Sequence, residues 1–422
     1  MVKEGGTTDM NRVVITGMGA VTPLGNTVDE FWDGLKAGKN GIAPITKFDA
    51  SETGISVAGE LKDFDATNYM PRKISKRMDE FSRYGVAAAV QAVEMSGIDT
   101  EKTDMDRFGV IVGSGIGGLN AMQEQIIKMH DKGPQRVAPF FVPMAIGNMV
   151  AGNISIAIGT KGINTSIVTA CASGNNAIGE AYRNIKHGYS DAILAGGAEG
   201  MINEIGISGF AALTALSTST DPDRASIPFD KERHGFVMGE GAGVLLLESL
   251  EHALERGATI YGEVVGYGST GDGYHMTAPT PDGSGAGKAM LNAMAEAGIK
   301  AEEVGYINAH GTSTPANDSA ETMAIKYAFG EEGAKKVAIS STKSMTGHLL
   351  GAAGAIEAIA CVKALEEDFL PPTIGLTVKD ENCDLDYIPN VGRKADVRYA
   401  LNNSLGFGGH NAVTCFKKWE GQ

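Results

Sequence analysis

Four cysteines are all this 422-residue chain has, Cys171, Cys361, Cys383 and Cys415, and they form no CxxC pair and no even framework. That excludes a disulfide scaffold and a structural zinc site, and it points to a reducing cytoplasm. No apolar run approaches the length of a membrane span, so no membrane insertion is expected. The first residues, "MVKEGGTTDM", lack the apolar core of a signal peptide. Residues 1–10 are expected to be a flexible or non-native N-terminal stretch. Positive charge is in deficit: the formal net charge of −15 excludes nucleic acid or an anionic membrane as the main partner, while leaving room for local basic patches. Low-complexity linkers are absent.

Several familiar motifs are also missing. No GxSxG elbow occurs, which argues against a serine hydrolase. "PDGSGAGKA" (281–289) imitates a phosphate loop, but Asp282 stands where its first glycine belongs and Ala289 where its hydroxyl residue belongs. Gly113–Gly118 and Gly266–Gly271 fit a dinucleotide fingerprint, yet neither is followed by the acidic residue that would hold a ribose. No nicotinamide cofactor is expected.

What is present is glycine, 57 residues of it, with repeated strand, glycine turn and helix, the pattern of an α/β protein. "RVVITGMGAVTPLG" (12–25) reads as a strand entering a turn. Thr27 and Glu30 then stand in capping-box register before a helix burying Phe31, Trp32 and Leu35. Residues 79–96 read as a helix, and 107–113, 191–197 and 243–249 as strands. Three segments recur in order: "VVITGMGAVTPLG" in "EVVGYGSTGDG" (263–273), "RFGVIVGSGIGG" in "EVGYINAHGTST" (303–314), and "TSIVTACASGNNAIGEA" in "VAISSTKSMTGHLLGAAGAIEA" (337–358). Ordered echoes imply two similar α/β halves meeting near residue 258.

In "VTACASGNNAIGEA" (168–181) Cys171 stands between an apolar stretch and a helix. The helix start and a nearby imidazole are expected to raise the thiolate fraction of a thiol whose ordinary pKa is about 8.5. The same peptide N–H groups can hold an oxyanion. His310 ends a buried strand, and His348 lies at the start of the helix that echoes the Cys171 helix. One nucleophile and two neutral imidazole donors suit acyl transfer to the thiol followed by formation of an enolate. Asp318 and Glu321, three apart, share a helix face, and a Lys343–Glu321 pair is expected to fix the His348 turn.

Those segments, with "PFDKERHGFVMGEGAG" (228–243) and "NNSLGFGGHNA" (402–412), resemble the β-ketoacyl-[acyl-carrier-protein] synthases over residues 11–418. The resemblance implies a thiolase fold, five layers α-β-α-β-α in two pseudo-duplicated halves (11–258 with the cysteine, 259–418 with the histidines), and a homodimer. The cysteine with two histidines is similar to the elongating members, and Ile116 in "GSGIGG" is similar to the type II members, where an isoleucine gates the acyl pocket. It implies that Cys171 is acylated, that His310 and His348 assist decarboxylation of malonyl carrier, and that the N–H groups of Cys171 and Phe407 form the oxyanion hole, with Phe407 as a gate. Ile116, Phe141 and Phe210 match acyl-pocket positions, Phe141 reaching the pocket of the partner subunit, and Thr312 and Thr314 match contacts to the pantetheine arm. Arg72, Lys73, Lys76, Arg77 and Arg136 match a docking patch for acyl carrier protein. Asn308, Glu357, Asn402 and Asn403 match a monovalent-cation position. No cofactor is implied beyond the phosphopantetheine that carries the acyl and malonyl thioesters. His234 departs from the family pattern and is expected at the surface or at the pocket edge. A polyketide-type ketosynthase, or a non-catalytic acyl-binding or chain-length subunit, remains open.

Overall fold

The computed structural model describes residues 10–421, so the N-terminal stretch expected over 1–10 lies, apart from Met10, outside the described residues. Ten strands form one sheet: β1 (Val13–Val21), β2 (Phe108–Gly113), β3 (Asn164–Thr165), β4 (Ala192–Glu199), β5 (Gly241–Ser249), β6 (Gly262–Gly271), β7 (Val304–Asn308), β8 (Ala338–Ser340), β9 (Tyr399–Gly406) and β10 (His410–Lys418). Their order is β8-β7-β9-β10-β6-β1-β5-β4-β2-β3. Counted outward from the central antiparallel β1–β6 pair, both directions give the same pattern, two antiparallel pairings and then two parallel ones. The mates in that pattern are β1 with β6, β2 with β7 and β3 with β8, the segments whose sequences echo one another. Strands before residue 258 fill one half and strands after it the other.

The helices that matter are α1 (Val28–Lys36), α2 (Glu80–Ser96), α3 (Met149–Ile158), α4 (Ser173–Lys186), α5 (Ser284–Ala297), α6 (Pro315–Ala334) and α7 (Ala353–Glu367). Helices α2 and α3 cover the outer face of the first half, α5 and α6 that of the second, and α4 with α7 lie between, touching strands of both halves. The result is five layers, α-β-α-β-α, the thiolase fold. Because β1, β2, β4 and β5 are covered on both faces, every one of their residues is buried, and they read as continuous rather than alternating apolar runs. Helix α7 has no polar face to spare: Ala353 through Leu365 are all buried, and small alanines let it sit between the strands of the two halves. Its N-terminus and that of α4 approach so closely that a Cβ on Gly174 would lie 2.9 Å from the Gly351 carbonyl oxygen.

Local signals held with one shift. Thr27 caps α1 by accepting the Glu30 N–H at 3.2 Å, as its register predicts. The reciprocal bond goes one residue further back, Glu30 accepting the Asn26 N–H at 2.8 Å. No helix among the described residues is long and apolar enough to cross a membrane.

Candidate active site

Parallel strands aim their carboxyl ends the same way, and functional groups of α/β sheets collect there. Here β7 leads into His310, β8 into the segment Lys343–His348, and β9 into Phe407; in the other half β2 leads into the Ile116 loop, β3 into Cys171, and β4 ends on Glu199. Cys171 is the middle residue of a tight turn, Ala170–Ala172, that opens α4. Ala170 has φ 50°, a left-handed conformation that strains an L-residue and sets the angle at which the next side chain emerges.

The sulfur of Cys171 and a ring nitrogen each of His310 and His348 lie within 4.8 Å of one another, all three residues buried. The two imidazoles meet edge to face, centroids 5.2 Å apart, and Phe236 packs edge-on against His348 at 5.2 Å. His348 Nδ1 accepts the Leu350 N–H at 3.2 Å, and Lys343 Nζ points at His310 Nδ1 from 3.5 Å. With both Nδ1 atoms facing donors, each neutral ring carries its proton on Nε2. Burial and then the charge of Lys343 push both histidines well below the usual imidazole range, with His348 adding to the shift at His310. They are therefore neutral donors at physiological pH.

The thiol is another matter. Burial pushes Cys171 up to about 12, against the pull of Lys343 and of the Cys171 and Phe407 N–H groups, with Glu199 adding to the rise. The expected gain in resting thiolate is thus overturned: desolvation exceeds what the Lys343 charge and the two N–H groups return. The expected Lys343–Glu321 pair is also corrected. Lys343 pairs with Glu357 of α7, both fully buried. Glu321 instead accepts the backbone N–H groups of His310 and Gly311, each at 2.7 Å, so it fixes the histidine loop through its main chain. Asp318 does the same for the neighbouring loops, accepting Phe229 N–H at 2.8 Å and Ser313 N–H at 3.2 Å. A third correction concerns symmetry. Leu350–Ala352, opening α7, is the counterpart of Ala170–Ala172, and Leu350 shares the φ of 50°. Gly351, not His348, therefore occupies the place equivalent to Cys171, and His348 lies three residues earlier.

Cys171, His310 and His348 line one cleft of about 340 Å³ with Phe210, Thr312, Thr314 and Phe407. Thr312 and Thr314 share a 2.9 Å hydroxyl bond. Phe210 lies between Phe407, tilted to it with ring centroids 6.2 Å apart, and Phe236, edge to face at 5.5 Å. His234 is exposed and stands in the cleft wall, so it is both a surface residue and a pocket edge. Ile116, 43 % exposed, and half-buried Phe141 lie outside the walls of this cleft. Arg72, Lys73, Lys76, Arg77 and Arg136 are exposed, and the Arg77 guanidinium lies over the Phe140 ring at 4.5 Å, which joins the two basic segments into one surface.

Asn308, Glu357, Asn402 and Asn403 are all buried, and an oxygen of each has no hydrogen-bond partner among the described residues. Asn402 and Asn308 are register partners on β9 and β7. Orphaned oxygens of this kind fit a hard monovalent cation. Sequence reasoning missed Phe236, which orients His348, and Glu199. Both sit inside apolar or glycine-rich runs where nothing marks them.

Residues 10–253 match the family described as beta-ketoacyl synthase, N-terminal domain, and residues 261–377 match beta-ketoacyl synthase, C-terminal domain. The chain is 53 % identical over 413 residues to the 3-oxoacyl-[acyl-carrier-protein] synthase 2 of Synechocystis sp., covering 98 % of this chain and 99 % of that protein. It is 51 % identical over 409 residues to the protein of the same name from Staphylococcus aureus strain COL, covering 97 % and 99 %. Among solved structures, a type II polyketide ketosynthase in complex with its acyl-carrier protein superimposes with a TM-score of 0.91 at 34 % identity, covering 97 % of this chain and 100 % of that one.

Proposed function

The chain belongs to the β-ketoacyl synthase family, and from that premise we propose that it is the condensing enzyme of type II fatty-acid elongation. The observation that carries this reading is the meeting of one buried thiol with two neutral imidazoles whose Nε2–H groups are free to donate.

In the first half-reaction Cys171 Sγ attacks the thioester carbonyl of an acyl chain on its carrier. With a thiol that resists ionisation, the proton leaves as the bond forms and ends on the departing pantetheine sulfur. The N–H groups of Cys171 and Phe407, which already face the sulfur, hold the oxyanion. In the second, malonyl carrier enters along Thr312 and Thr314. Its carboxylate departs as carbon dioxide, the electron pair of that bond becomes the enolate, and His310 and His348 donate to the enolate oxygen. The enolate carbon attacks the Cys171 thioester; the carbon–sulfur bond breaks, the thiol regains a proton, and 3-oxoacyl carrier is released. The proton the thiol regains comes from solvent, one per turnover, and the substrates supply every other atom and electron, so the reading includes no cofactor. A monovalent cation held by Asn308, Glu357, Asn402 and Asn403 would neutralise charge beside Lys343.

In this reading residues 11–258 bring the nucleophile and 259–418 the histidines. Acyl carrier protein docks on the basic surface of Arg72, Lys73, Lys76, Arg77 and Arg136. The homodimer forms at β3, the outer strand of its half, where Asn164 and Thr165 and the flanking Ile163 and Val168 are exposed. Such an edge needs a cover, and across it Ile116 and Phe141 would complete the acyl pocket. Four free, buried cysteines suit a cytoplasmic setting. The polyketide alternative draws on the 34 % identical ketosynthase, and the relatives above 50 % identity outweigh it. Incubation with long-chain acyl carrier and malonyl carrier tests the reading: a carrier product longer by two carbons, absent with Cys171→Ala, is expected, and its absence from the unaltered protein overturns it.

A further inference from the structure

The pseudo-symmetry of the fold builds twice the turn that carries an oxyanion-hole N–H. In one copy the N–H of Cys171, in the turn Ala170–Ala172, faces the same point as the N–H that follows β9. In the other, Gly351 holds the Cys171 place in the turn Leu350–Ala352, and the strand equivalent to β9 is β4, which ends on Glu199. The Glu199 carboxylate sits on the N–H of that second turn. One of its oxygens accepts the Gly351 N–H at 2.9 Å and the Gly115 N–H at 2.8 Å. The other accepts the Ser114 hydroxyl at 2.9 Å and the Ile116 N–H at 3.4 Å. Among the described residues four donors converge on this carboxylate; burial raises its pKa above the usual carboxylate range, and the donors from Gly351, Gly115, Ser114 and Ile116 oppose that rise.

The elements so tied are not incidental. Leu350, beside Gly351, donates the N–H that fixes the His348 tautomer, and Ile116 stands on the loop that Glu199 holds from the other side. The fit is tight: a Cβ on Gly351 would collide with the Gly115 nitrogen and lie 2.7 Å from Glu199 Oε2. We propose that Glu199 is a positioning residue for condensation, a built-in carboxylate that occupies the N–H of the second turn and holds the His348 turn against the Ile116 loop. This rests on the elongation reading above. Nothing in it requires Glu199 to touch substrate.

The test separates the half-reactions. In Glu199→Gln an amide NH2 must face backbone donors. Transfer of the acyl chain to Cys171, followed by intact mass, is expected to stay within about threefold of the unaltered protein. Consumption of that adduct by malonyl carrier is expected to fall about tenfold or more, the scale of a misplaced catalytic donor. In Glu199→Ala the emptied space is expected to take acetate, so that sodium acetate restores adduct consumption at least about fivefold over sodium chloride at equal ionic strength. Ser114→Ala removes one donor and keeps the question answerable if both variants fail to fold; it is expected to show the same split, about threefold. Equal loss in both half-reactions, unchanged adduct consumption, or no acetate response would overturn the role of Glu199. An unaltered protein that forms no product would instead overturn the elongation reading.

Discussion

Lys343 is fully buried between two partners, paired with the Glu357 carboxylate on one side and pointing its Nζ at His310 Nδ1, 3.5 Å away, on the other. One ammonium thus fixes the His310 tautomer, adds to the burial that keeps both imidazoles neutral, and opposes the burial that still leaves the Glu357 carboxyl raised to about 7.

Removing Lys343 is expected to harm stability and chemistry separately. Lys343→Met leaves Glu357 buried without its cation, a loss of about 3–5 kcal/mol in comparable pairs. The Glu357 pKa then rises further above its unfolded value, so the loss grows as pH rises above neutrality. Denaturant titration at two pH values checks this, and adding Glu357→Gln is expected to recover most of the stability without recovering condensation.

The histidines give stability an acid limb. Both have folded pKa values far below the unfolded one, so below about pH 6.5 the unfolded chain binds protons the native site refuses. Stability is expected to rise with pH up to about 6.5, each histidine contributing about 1.4 kcal/mol per pH unit below it. His310→Gln and His348→Gln should each flatten the slope of unfolding free energy against pH between 4.5 and 6 relative to the unaltered protein; an unchanged slope contradicts neutral burial.

Cys171 should alkylate slowly at neutral pH. With the thiol pushed up to about 12, the iodoacetamide rate is expected to climb through pH 10 without a plateau. A plateau near pH 7 would mean that the turn stabilises thiolate after all.

Much of this was legible in the chain. Order and pairing of the echoed segments gave the symmetry of the sheet, because a duplicated half must keep its strand, turn and helix spacing to close the same layers. Cys171, His310 and His348 stood out because glycine turns flank them at strand ends. The partner of Lys343 did not, since Glu357 reaches it only through the placement of α7, buried from Ala353 to Leu365, between the strands of the two halves, and nothing in an alanine-rich helix marks one buried carboxylate. Thiolate character failed for a related reason: local sequence reports the helix start, whereas desolvation depends on everything packed around the sulfur.

The basic surface makes a kinetic prediction. Reversing Lys76 and Arg77 to Glu is expected to raise the KM for acyl carrier several-fold, more at low salt, while sparing reaction with a small free thioester. Unchanged carrier kinetics would remove this face from docking.

Both half-reactions are assigned to one thiol, and the mass of the intact protein follows that thiol directly. After incubation with long-chain acyl carrier, an acyl adduct on Cys171 is predicted, and it should vanish as 3-oxoacyl carrier forms on adding malonyl carrier. In His310→Ala or His348→Ala the adduct should form and then persist, with its consumption about a hundredfold slower. An adduct that persists in the unaltered protein, or none at all, would contradict the account.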